Sequence, residues 1–540
     1  MKLKNLMYSV AIAVGCCIGF AAKAQVKHVI LISIDGFHPD MYIDTTWPAP
    51  NLRKLMKMGT YADHLISTFP SYTYPSHTAM VTGAQPARSG INFNQPKSDW
   101  SGNWNWFTSA IRVPTLWQVL KQHGLTTAGI EWPVSVPKDK SAITWNMPEI
   151  WDNGHPDDRV TEARRYATPG LIEEIEQYAT GKLNSSNMQD SRFSLDENLG
   201  RAAAYILKKY KPNFLALHFA CVDEISHEQG RDADSVRMAL AADDRAIGDI
   251  LEAIQYNGLK DSTAIIIVGD HGFATIHQVM RPNMLIRGLP VRFVAAGGSA
   301  FLYLKSSGSD LPEIEEGMRT AKSWAEQIVR KIGKPDPALK DFQGYKPAGF
   351  QEAQVIGLIT NRWPKYKNWA KIDAKGLDHI EISNHPPYSF ASLAKQVTDS
   401  LNTLPKDKRK LFRIIDRKEL DQMGADSSAL LALSGVNGSG LVFSGSTGSA
   451  QAQDHGPGTL IQNNKLEGVF IPAHGGHHGF DPANPEMWTG FITYGPSIKV
   501  GGHIQSLREV DIAPLIAKLL NIEFNTPDGK LPEGIIQPNN

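Results

Sequence analysis

Asp223 and His227 stand four residues apart in "DEISH". On a helix this spacing puts both side chains on one face, where they can grip a single metal ion. Asp270 and His271 are adjacent in "GDHGF", so on a turn both can reach a second ion. Asp35 closes the apolar run of "VKHVILISIDGF", and His478 lies in "GGHHGFD", where the glycines allow close backbone approach. Its neighbours His474 and His477 read as solvated histidines of a Gly-rich loop. Three carboxylates gathered at one place repel one another, and cations are what relieves that repulsion.

The elements that must gather them are buried strands. "VKHVILISIDGF", "PNFLALHFACVDEISH" and "DSTAIIIVGDHGF" each run apolar and then deliver an acid at the carboxyl end, as strands buried on both faces do. Helical stretches such as "APNLRKLMKMG", "VPTLWQVLKQHG" and "SVRMALAADDRAIGDILEAIQYNG" separate them. The alternation predicts an α/β fold with a mostly parallel central sheet flanked by helices. In such sheets ligands bind beyond the carboxyl ends of the strands, where these acids fall. Thr73 sits in "STFPSYTYPSHTAMVTG", a Pro-flanked, hydroxyl-rich elbow ahead of a helical run. Ser, Thr and Pro also gather at helix starts simply as caps.

With 540 residues the chain exceeds one ordinary core. The expected division is a signal peptide over 1–24, a catalytic core in two parts over 25–290 and 468–540, and an insertion or cap over 291–467. Lys+Arg and Asp+Glu balance at 55 each, so no global field draws the chain to nucleic acid or an anionic membrane. The first 24 residues have Lys2 and Lys4, an apolar run and Ala22-Lys23-Ala24, the features of a cleavable export signal; the apolar run is too short to span a bilayer. Cys16 offers lipidation as a minor alternative. After cleavage Cys221 alone cannot form an internal disulfide, and export without disulfides fits a bacterial periplasm or the cell exterior. In the insertion, "LPEIEEGMRTAKSWAEQIVRKIG" reads as an amphipathic helix, "PDPALKDFQGYKPAGF" as loop and "GVNGSGLVFSGSTGSAQAQDHGPG" as a surface loop. "SLREVDIAPLIAKLLNI" reads as a closing helix.

The ordered motifs "SIDG", "TYPSHTAMVTG", "DEISH", "GDHGF" and "GGHHGFD" resemble the alkaline phosphatase superfamily, and most closely its nucleotide pyrophosphatase/phosphodiesterase branch. The resemblance covers residues 26 to about 290 and 468 to about 525. It implies an alkaline-phosphatase-like core and two zinc ions, one held by Asp223, His227 and His478 and the other by Asp35, Asp270 and His271. Thr73 would bridge toward the second ion as nucleophile, and Asn94 would donate to a phosphoryl oxygen. A helix N-terminus favours the incoming anion. The implied reaction is hydrolysis of a phosphodiester or pyrophosphate through a phosphothreonine, on a small-molecule or nucleotide substrate. Lys138 and Lys140 are the nearest echo of the Lys-x-Arg pair of Thr-dependent monoesterases, and the missing Arg leaves a lightly charged site suited to a diester. Trp106 and Trp132 are candidates for substrate contact, alongside Trp100 and Trp104. A Thr-dependent phosphomonoesterase and a phosphonoacetate-type hydrolase are the alternatives within the superfamily.

Overall fold

The computed structural model describes residues 25–96, 104–138, 141–152, 154–155, 158–286, 289, 291–304, 370–372, 380–382, 390–445 and 468–537. The leader segment, Lys140, Trp100 and the amphipathic and loop stretches between 311 and 350 lie outside them.

Eight strands form the central sheet: β1 (His28–Ile34), β2 (Thr60–Ile66), β3 (Thr127–Ile130), β4 (Trp145–Met147), β5 (Phe214–Phe219), β6 (Thr263–Gly269), β7 (Phe491–Tyr494) and β8 (Gly502–Arg508). Their spatial order is β8-β2-β7-β6-β1-β5-β3-β4. Only β7 runs antiparallel to its neighbours; the remaining pairs are parallel. The β1 sequence is buried along its whole length, and its residues alternate between two cores. Ile30, Ile32 and Ile34 join one with Leu215 and Ile267, while Val29 and Leu31 join the other with Ala216 and Ile266. This two-sided burial explains the unbroken apolar run.

Helices cover both faces. Helices α2 (Phe193–Tyr210) and α4 (Asp234–Tyr256) pack against each other and supply Leu199, Ile206 and Ile247 to the first core. Helices α1 (Thr73–Thr82) and α5 (Ile512–Leu519) supply Met80 and Leu515 to the second. A short helix α3 (Cys221–Gln229) follows β5 directly. Within the range expected to be an insertion, Val291–Ala296, Ser299–Leu304, Phe412–Ile415 and Leu431–Gly435 form a separate antiparallel sheet. The helix Phe390–Asn402 lays Leu393, Val397 and Leu401 on its core.

Two sequence expectations are corrected. The Gly/Ser-rich stretch after Gly435 is not all surface loop, because Leu441–Phe443 is a buried strand paired with Gln278–Met280. The closing segment is not helical from its start: Ser506, Leu507 and Arg508 pair with β2, and α5 begins at Ile512. In both places the pairing partner is distant in sequence, so local composition carries no signal of it.

Candidate active site

Three adjacent strands, β6, β1 and β5, end at one edge in register, with Ile34 opposite both Phe219 and Gly269. Asp35 and Asp270 follow β1 and β6 immediately, and β5 hands over to α3, whose first turn carries Asp223 and whose last turn carries His227. Gly36 makes the turn after Asp35 at φ +73, with its N–H donating to Asp270 Oδ1 at 3.1 Å. A Cβ there would meet the Phe273 ring at 3.1 Å. His478 arrives on the loop after Gly476–His477, which pairs with Ala274–Thr275. Gly476 lets that loop press on α3, since a Cβ would stand 2.5 Å from the Ser226 carbonyl oxygen. Thr73 is the first residue of α1, after an extended Tyr72. It therefore presents its hydroxyl at the positive end of a helix whose ten residues are all buried.

The side chains converge closely. His271 Nε2 lies 3.1 Å from Asp35 Oδ1, 3.3 Å from Asp270 Oδ2 and 3.8 Å from Asp223 Oδ1. Thr73 Oγ1 is 3.4 Å from the same nitrogen. His227 Nε2 stands 3.4 Å from Asp223 Oδ2, and His478 Nε2 is 3.8 Å from Asp223 Oδ1. The His478 and His271 rings stack, with centroids 3.6 Å apart. Three groups of ligand atoms result, each within 4.8 Å of one another: Asp35, Asp270 and His271; Asp223, His271 and His478; and His227, His477 and His478.

The donor set fits divalent cations on two counts. Asp35 Oδ1, Asp223 Oδ1 and Asp270 Oδ2 are buried without a hydrogen-bond donor, a costly arrangement for carboxylates unless cations satisfy them. Burial, then the charges of Asp35 and Asp270, push the Asp223 carboxyl well above the usual carboxylate range. Burial and Asp35 likewise lift Asp270 to about 7. The histidine tautomers point the same way. The Nδ1 atoms of His227, His271 and His478 face the main-chain oxygens of Gly476, Gly272 and Ser71 at 3.2, 3.3 and 2.9 Å. A carbonyl oxygen only accepts, so each Nδ1 carries a proton, and in the neutral rings of His227 and His478 Nε2 keeps the lone pair that a metal requires. Burial, reinforced by His271, lowers His227 to about 4 and His478 well below its ordinary value, so both stay neutral.

Asn94 is 8% exposed, and its Oδ1 accepts the N–H of Tyr74 at 3.0 Å. The bond fixes which end of the amide is which, leaving the NH2 as the donor end. A cleft of about 160 Å³ opens next to it, lined by Tyr72, Phe93, Asn94, Trp104, Val294 and Ala295 among others. Trp106 and Trp132, the two residues expected to contact substrate, are both buried. Trp132 is 1% exposed and packs edge-on against His77 and Trp117. Trp106 is 7% exposed and packs on Trp151. Both pack into hydrophobic cores, and Trp104 lines the cleft. Lys138 is exposed, and so is His474, as expected. His477 is not a solvated loop residue: its ring packs edge-on against His227 with centroids 4.7 Å apart.

Sequence reasoning missed His218. It lies inside β5, where Nε2 is 3.1 Å from Asp35 Oδ2 and Nδ1 is 3.1 Å from the Glu131 carbonyl oxygen. Burial works against its charge, yet Asp35 raises it to about 10. Burial also opposes ionisation of Asp35, but His271 and His218 hold that carboxyl well below its ordinary range. The available signal was one basic residue interrupting the apolar run "FLALHF". His77 was missed as well: it reaches Asp270 Oδ2 at 3.7 Å from inside α1.

A mostly parallel sheet, acids at its carboxyl edge and a threonine at the tip of a buried helix define an alkaline-phosphatase-like α/β domain. The chain belongs to the type I phosphodiesterase / nucleotide pyrophosphatase family, whose model matches residues 29–338. Mouse bis(5'-adenosyl)-triphosphatase enpp4 is 27% identical over 260 residues, which are 47% of this chain and 49% of that protein. The venom phosphodiesterase of Macrovipera lebetinus is 26% identical over 259 residues, 46% of this chain and 26% of that protein. The matched region thus spans half or less of these relatives' length. Murine ectonucleotide pyrophosphatase/phosphodiesterase 5, solved in an inactive form in complex with AMP, shares the fold at a TM-score of 0.56 and 13% identity, over 93% of this chain and 97% of that one.

Proposed function

We propose that this chain is an exported two-zinc phosphodiesterase or nucleotide pyrophosphatase that works through a covalent phosphothreonine on Thr73. The observation that carries the reading is the Thr73 hydroxyl, seated at the N-terminus of α1 and 3.4 Å from His271 among two sets of candidate ligands. Asp35, Asp270 and His271 would hold one ion, and Asp223, His227 and His478 the other. When bound, the ions supply Lewis-acid stabilisation of charge on the reacting oxygens and favour the ionised Thr73 hydroxyl.

The protein groups do the rest. Thr73 Oγ1, its proton released to solvent, bonds to phosphorus while the bond to the leaving oxygen breaks and that oxygen departs with the electron pair. The Asn94 amide donates to a non-bridging phosphoryl oxygen, and the positive end of the α1 dipole favours the anion. Water then adds its oxygen to phosphorus, the bond to Oγ1 breaks, and Thr73 is restored. With Lys138 exposed, the described residues give no support to a monoesterase cation pair, which favours a singly charged diester. The leader segment and the names of the secreted relatives support export, and among the described residues no helix is long and apolar enough to cross a membrane.

The test is a hydrolysis panel of a nucleotide diester, a pyrophosphate, a phosphomonoester, a choline phosphodiester and phosphonoacetate, run on wild type and Thr73→Ala with zinc content measured. Diester or pyrophosphate turnover that disappears in Thr73→Ala while zinc is retained supports the reading. Activity retained by that variant refutes the covalent step, and a preference for the monoester or phosphonate refutes the substrate class.

A further inference from the structure

The pair His477-His478 puts two imidazoles beside the same candidate ion, and their hydrogen bonds assign them opposite jobs. His478 Nδ1 faces the Ser71 carbonyl oxygen at 2.9 Å, so its Nε2 is a lone pair. His477 Nδ1 instead accepts the main-chain N–H of His478 at 2.9 Å. That nitrogen is therefore the unprotonated one, and the ring proton of neutral His477 sits on Nε2. A nitrogen bearing a proton has no lone pair for a metal. Among the described residues no protein group partners His477 Nε2, and the residue is partly exposed where His478 is buried. A nitrogen of its ring nevertheless lies within 4.8 Å of ligand nitrogens of both His227 and His478.

The position matters for the direction of displacement. Thr73 Oγ1 stands beside His271, which together with Asp35 and Asp270 marks the attacking side. In an in-line displacement the leaving oxygen departs on the opposite side, toward Asp223, His227 and His478, and a His477 ring nitrogen lies within 4.8 Å of ligand nitrogens of the last two. We propose that His477 is a hydrogen-bond donor to the leaving oxygen, and that it is not a third imidazole ligand of the ion. The proposal rests on Thr73 being the nucleophile. The step moves no proton: the leaving oxygen takes the electron pair of the broken bond, is stabilised by Nε2–H, and is protonated by solvent on release.

The experiment uses the zinc-loaded full chain and a series of aryl methyl phosphates whose phenols differ in acidity. A donor to the leaving oxygen matters most where charge there is least stabilised by the leaving group itself. His477→Ala is expected to lower kcat/KM by about tenfold or more for the least acidic phenol, and by only a few-fold for nitrophenol. His477→Gln, which keeps an N–H donor at similar reach, is expected to recover most of the loss. Zinc content and affinity are expected to match wild type in both variants. An equal loss across the whole series overturns the donor role, and a fall in bound zinc in His477→Ala makes it a ligand after all. Thr73→Ala is measured alongside. If that variant keeps turnover, the nucleophile reading has failed and takes this proposal with it. If it is inactive while the His477→Ala series is flat, only the donor proposal has failed.

Discussion

Replacing Asn94 by Asp and by Ala should reverse their order between stability and activity. Asn94 Oδ1 accepts the Tyr74 N–H at 3.0 Å, and the residue is 8% exposed. Asn94→Asp has the same shape and still accepts that N–H near a helix N-terminus, so its stability should stay within about 1 kcal/mol of wild type. Asn94→Ala leaves the Tyr74 N–H without its acceptor at a buried site, which costs about 1–3 kcal/mol. For activity the ranking turns over. Both variants lose a donor to a charged phosphoryl oxygen, worth about 1.5–3 kcal/mol, or roughly ten- to a hundredfold in kcat/KM. Asp adds a negative charge facing an anionic substrate, so it should lose more than Ala. Urea unfolding and steady-state hydrolysis of a nucleotide diester, on the same preparations, read the two orders. If Asp is more active than Ala, or if Ala is the more stable variant, the amide does not have the orientation and role assigned to it.

The remaining predictions concern buried groups around the site. Asp196 accepts the N–H groups of Ala220 and Cys221 at 3.1 and 3.0 Å, tying down the start of α3, while burial and Asp196 push the adjacent Asp243 well above the carboxylate range. That shift favours the protonated Asp243 carboxyl, so Asp243→Asn should be nearly neutral in urea unfolding whereas Asp196→Ala should cost about 2–5 kcal/mol by orphaning two N–H groups; equal costs would refute the assignment. Burial raises Glu131 to about 8, against the pull of Arg159. Because this folded value lies above the unfolded one of about 4.3, its contribution is complete below the unfolded value and is lost as pH rises through 8. Glu131→Gln should flatten the fall in thermal midpoint between about pH 5 and 9, and an unchanged slope would count against it. Trp132→Ala should cost about 3–5 kcal/mol of stability as a core cavity, while Trp104→Ala should raise KM for a nucleotide diester at little cost in stability. The opposite pattern would restore Trp132 as a substrate contact.

Much of the site was legible in the sequence because strand ends and short spacings are local properties. Buried parallel strands read as apolar runs, so Asp35 and Asp270 stood out at their ends, and Asp223 and His227 declared a helical face by their spacing of four. Thr73 and Asn94 were readable only through the motif resemblance, since a hydroxyl at a helix start is also an ordinary cap. Tertiary structure decided what depends on partners remote in sequence. Only the strand order places β5 and β6 on either side of β1, and so brings His218 to Asp35 across 183 residues. Trp106, Trp132 and Trp104 are alike as residue types, and the fold alone sends two into cores and one to the cleft. His477 and His478 are neighbours of identical chemistry. One ring nitrogen meets a carbonyl oxygen and the other a main-chain N–H, and that contact determines which of the two offers a lone pair and which a proton.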